Sequence, residues 1–146
     1  MFFKLFGLML LLIPSVRADQ TGVWNRFRGP NGSGIAVGCQ PPVRVGKAYE
    51  AWRVPIPQGL SSPVLSESQI FFTAVRDRKL MTIALDKESG RERWRRFSPV
   101  KATEKVHRAA SQASSTVLVD EQYVIVYFGS YGFLCYDHDG NEIWKK

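Results

Sequence analysis

Histidine and cysteine are scarce in this 146-residue chain, two of each. His107, His138, Cys39 and Cys135 are scattered, without the close spacing of zinc ligands, so no metal site is expected from them. Long apolar runs are also missing. The longest, Leu5 to Ile13, is half the ~18 residues a membrane span requires, and Pro14 and Arg17 break any continuation of it. With Lys4 ahead of it and the small residues Val16 and Ala18 behind it, the run reads as a secretory leader over residues 1–18, cleaved after Ala18. A lipid anchor on "AVGC" is not supported, because Cys39 lies far beyond the apolar run. Acids are outnumbered, 13 Asp and Glu against 20 Lys and Arg, for a formal charge of +7 that falls by two when Lys4 and Arg17 leave with the leader. This describes a basic surface, and export to the periplasm or extracellular space argues against nucleic acid as a partner. "GRERWRR" reads as a solvated strand face rather than a binding stripe. In an oxidising compartment Cys39 and Cys135 could pair; the alternative is one loop thiol and one buried strand thiol.

What the chain does have is a repeat. "SSPVLSESQIFFTAVRDRKLMTIALDKESGRERWRR", Ser61 to Arg96, corresponds element by element to "SSTVLVDEQYVIVYFGSYGFLCYDHDGNEIWKK", Ser114 to Lys146. Each unit opens with two serines and a short apolar stretch, then a polar turn. "IFFTAV" or "YVIVYF" follows, then "RDRK" or "GSYG", then "LMTIALD" or "FLCYD". Each closes with a turn ending on Gly90 or Gly140 and a charged run carrying Trp94 or Trp144. β-branched and aromatic runs bounded by Gly, Asp, Ser and Asn are strand signals, and connections this short make neighbours antiparallel. Two units of four strands each are therefore expected.

The middle runs are apolar at nearly every position, as in a sheet covered on both faces. No amphipathic helix is present to do the covering, so sheets must stack on one another. Four-stranded sheets repeated at ~40–50 residues around an axis are the blades of a β-propeller. The expected class is all-β, about two blades and an orphan outer strand of an incomplete propeller. In each unit an aspartate, Asp86 or Asp137, caps the last turn, and a glycine, Gly90 or Gly140, takes positive φ there. The tryptophan of the charged outermost strand reaches inward to pack on a neighbouring blade.

"AYEAWRVPIP" supplies a further tryptophan, Trp52, without inner strands of its own. The expected organisation is a leader over 1–18, a loop segment over 19–45, and a partial propeller over 46–146. The latter comprises an outer strand near 49–54, a blade over 61–97, a connector over 98–113 with one helical turn near "ATEKVHRAA", and a blade over 114–146. One sheet is left without a neighbour, exposing Tyr123, Ile125 and Tyr127 or the residues opposite them, and self-association of the mature chain is expected.

These units resemble the pyrroloquinoline-quinone-like (PQQ-like) β-propeller repeats, whose pattern A-L-D-x-x-[ST]-G-x-x-x-W stands here as "ALDKESGRERW" and, more loosely, as "CYDHDGNEIW". The lead-in "VWNRFRGPNGSGIA" followed by "WRVPIPQGLSSPV" is similar to the start of exported members of that family. The resemblance implies fold and export, and that the chain is the N-terminal portion of a larger bacterial protein or a truncated reading frame. Some members are quinoprotein dehydrogenases, with the quinone beneath a disulfide of adjacent cysteines. Cys39 and Cys135 are not adjacent, which speaks against PQQ as a cofactor of this chain.

Other constellations also read as structural. "GPNGSG" lacks the Lys-Ser/Thr of a phosphate loop. "DHDGNE" lacks the later acid of a calcium loop. His107 has no evident nucleophile partner. No catalytic, cofactor-binding or metal residue is assigned. The expected function is a non-catalytic binding or scaffolding module for protein or peptide partners, with affinity residing in loops at the blade ends; the alternative is the start of a PQQ-dependent dehydrogenase.

Overall fold

A computed structural model describes residues 23–146, so the leader assigned to 1–18 lies outside the described residues. The described residues form two four-stranded antiparallel sheets, each with its strands in sequence order. The first contains β1 (Val64–Leu65), β2 (Gln69–Arg76), β3 (Lys79–Asp86) and β4 (Glu92–Phe97); the second contains β5 (Leu118–Val119), β6 (Val124–Phe128), β7 (Gly132–Tyr136) and β8 (Glu142–Lys145).

Turn chemistry fixes the register. Asp77 and Arg78 join β2 to β3 with φ of 50° and 62°, so this two-residue turn has the doubly left-handed backbone that matches strand twist, without a glycine. The turns after β3 and β7 are built alike. The Asp86 carboxylate accepts the Ser89 N–H at 2.9 Å, and that of Asp137 accepts the N–H groups of Asp139 and Asn141 at 2.9 and 2.8 Å. Gly90 and Gly140 follow at φ 70° and 80°. The pairing then slips by one residue at corresponding places, between Ala84 and Leu85 and between Cys135 and Tyr136. The slip leaves Trp94 opposite Ala84 and Trp144 opposite Cys135.

Strand alternation sorts the side chains into two cores. Phe71, Leu80, Ala84 and Trp94 of the first sheet meet Val119, Val124, Val126, Phe128, Leu134 and Tyr136 of the second. On the opposite face of the first sheet Phe72, Ala74, Met81, Ile83 and Leu85 form another cluster, covered by Trp52 and Val54. β2 and β3 are thus apolar at nearly every position because both of their faces are covered. Among the described residues the second sheet is covered on one face.

Two expectations need correction. Residues 49–54 form no strand: the local elements are a 3-10 turn at Lys47–Tyr49 and extended chain. Pro55 and Pro57 lack N–H groups, so the segment is held by the Trp52 side chain instead of a ladder. The connector contains no helix either. Its local bond is a turn, Ala110 N–H to the His107 carbonyl at 2.8 Å, and side chains take the backbone groups a helix would need. Ser130 Oγ accepts the Glu104 N–H and Gln112 Nε2 donates to the Glu104 carbonyl.

One contribution leaves no trace in the repeat pattern. Trp24 exchanges two backbone hydrogen bonds with Leu65, and the Asn25 carbonyl accepts the Val119 N–H, so the lead-in covers the free edges of β1 and β5 together.

Candidate functional site

The seven residues of the repeat motif assemble into two joints and one open end. At the first joint Trp52 Nε1 donates to the Lys87 carbonyl at 3.1 Å, and its ring lies so close to Gly90 that a Cβ there would meet it at 2.6 Å. At the second, Trp94 Nε1 donates to the His138 carbonyl at 2.8 Å, and a Cβ on Gly140 would meet the ring at 2.7 Å. Lys87 and His138 each directly follow the turn aspartate. Both joints therefore use one rule: an indole rests on a left-handed glycine and donates to the carbonyl next to the aspartate.

Further groups tighten the second joint. Arg96 Nε donates to the Gly140 carbonyl at 2.6 Å, its guanidinium carbon lies 5.8 Å from the Trp94 ring, and Gln69 Nε2 shares the His138 carbonyl at 3.1 Å. Trp94 lies 5.9 Å from Phe71 and 5.7 Å from Tyr136, both tilted. Burying an indole removes roughly 150–250 Å² from water, about 4–6 kcal/mol as an upper bound. Exposed ion pairs such as Arg95–Glu92 contribute about 0–1 kcal/mol, so packing decides how the sheets are held.

The turns are polarised as well as packed. The Arg93 guanidinium, and then Ser89, hold the Asp86 carboxyl far below the ordinary range, with Arg93 Nη2 at 2.7 Å. The Asn141 side chain, and then its N–H, lower Asp137. Burial pushes the Tyr136 phenol up to about 12 and raises the Cys135 thiol.

Trp144 occupies the position of Trp94 on the second sheet, yet it is 42% exposed where Trp94 is 7% exposed. It makes no indole hydrogen bond among the described residues. Around it on the same face stand Leu118, Tyr127 and Phe133, all exposed, with the Tyr127 and Phe133 rings 4.9 Å apart. Tyr123 is exposed and Ile125 half-buried. Cys135, opposite Trp144, is fully buried and unpaired, whereas Cys39 is exposed and unpaired.

His107 is exposed, its Nδ1 accepting the Ala109 N–H at 3.2 Å. Among the described residues no group of three or more His, Cys, Asp and Glu could hold a metal ion, and no helix is long and apolar enough to cross a membrane. No family model matches the chain, and no curated protein matches it either.

Proposed function

We propose that this chain belongs to an exported β-propeller of the PQQ-like repeat kind, in which each four-stranded sheet is a blade, and that it acts as a non-catalytic binding or scaffolding module for protein partners. One observation carries the reading. The far face of the second sheet bears Trp144 at the strand position from which Trp94 docks on a glycine turn, and among the described residues no such turn meets it. Its occupant is another four-stranded unit presenting a left-handed glycine and a free carbonyl beside it. A second copy cannot use the same joint without displacing its own residues, because Gly90 and Gly140 already lie under Trp52 and Trp94. Without that unit, apolar copies associate less specifically through the same face. Sedimentation velocity of the mature chain from micromolar to submillimolar concentration tests this. Concentration-dependent association, weakened by Trp144→Ser with Phe133→Ser, is expected; a monomer throughout the range removes the support for a docking face.

A further inference from the structure

Two adjoining clefts of about 480 and 390 Å³ lie where the β2–β3 turn faces the 98–113 connector. Both are lined by Gln58, Val75 and Gln112, so they form one continuous trough open to solvent. Arg76 and Arg78 line its first part and Arg108 its second, with Asp77 the one carboxylate among the lining residues. Among the described residues none of these arginines has a carboxylate within ion-pair distance; the four ion pairs lie elsewhere, on Arg53, Arg93, Arg95 and Lys145.

We propose that this trough binds an extended acidic peptide segment. The cationic groups are divided between the two halves of the trough, which suits carboxylates repeated along a chain better than one phosphate. The tight β2–β3 hairpin brings Arg76, at the end of β2, and Arg78, in the turn, to the same part of the trough. Recognition falls mainly to side chains, because along that wall Pro57 offers no N–H and the Gln58 carbonyl is already taken by the Val75 N–H at 2.7 Å. The exposed Gln58 lines both parts, and its side-chain amide makes no hydrogen bond among the described residues. This inference rests on reading the chain as a protein-binding module, but it uses a surface separate from the Trp144 face.

Fluorescence anisotropy of a labelled hexaglutamate peptide against the mature chain tests it, with hexalysine, inorganic phosphate and a short oligothymidylate as competitors. Hexaglutamate is expected to bind at low ionic strength and to weaken as salt rises. Arg76→Gln with Arg78→Gln and Arg108→Gln should weaken it about tenfold or more, while Arg44→Gln with Lys47→Gln, two exposed residues outside the trough, should leave it unchanged. Unaltered circular dichroism establishes that the variants fold. Absence of binding, or equal weakening by the control pair, overturns the proposal. So does competition by oligothymidylate or phosphate at lower concentration than unlabelled hexaglutamate. Self-association through Trp144 would survive any of these results, which separates failure of the trough from failure of the module.

Discussion

The indole of Trp94 rests on Gly140 and binds the carbonyl of His138, joining two sheets through one side chain and one turn. Trp52 repeats that relationship on Gly90 and Lys87. The glycines are therefore required twice over, for their left-handed backbone and for the missing Cβ.

Those two requirements separate by mutation. Gly32 has φ +68° but nothing within 4 Å of a built Cβ, so Gly32→Ala should cost only the strain, about 1–2 kcal/mol. Gly140→Ala adds a collision with the indole and should cost about 3 kcal/mol or more. Urea unfolding of the two variants measures the difference.

The tryptophans should differ in the same way. Trp94→Ala empties a buried site and is expected to lose about 3–5 kcal/mol. Trp144→Ala removes a half-solvated ring and should lose well under half of that, about 1 kcal/mol. Thermal melts rank the pair.

Acid should loosen the turns. Asp86 and Asp137 have folded pKa values depressed below the unfolded value, so their contribution is fully present above about pH 4 and is lost as pH falls through the folded values. Stability should be flat near neutrality and decline below about pH 4. Asp86→Asn should flatten that decline, as followed by urea midpoints across pH.

Thiol chemistry reports on the open face. Cys39 should react at once with a disulfide reagent and Cys135 only on unfolding, since burial both shields its thiol and raises its pKa. Trp144→Ala should make Cys135 reactive in the native chain, because the two residues are cross-strand partners. Counting released thiolate before and after denaturant checks this.

The sheets were legible in the sequence because their determinants are local. Runs such as "IFFTAV" and the Asp-to-Gly turns specify strand and hairpin within a few residues, and the structure places β2 and β3 within one residue of the expected runs at each end. Trp52 was recognisable as an anchor, but its lack of a strand was not, since that depends on what lies beside the segment. The helical turn expected near "ATEKVHRAA" gave way to an extended connector because the side chains of Ser130 and Gln112, both outside that stretch, capture its backbone groups. Trp24 on the edge of β1 was illegible for a similar reason. The trough is harder still: it joins Gln58, the Arg76–Arg78 turn and Arg108, three segments that no periodicity connects. The presence of "RDRK" where the other unit has "GSYG" was the one available signal, a turn that retains charge.

Exchange of the indole N–H protons in deuterated buffer, resolved as tryptophan side-chain cross-peaks by NMR and assigned with Trp→Phe variants, addresses the joints most directly. Trp94, bonded to His138, should exchange slowest, Trp52 more slowly than Trp144, and Trp144 within the dead time. Exchange of Trp94 as fast as Trp144 would mean that no glycine joint holds the two sheets together.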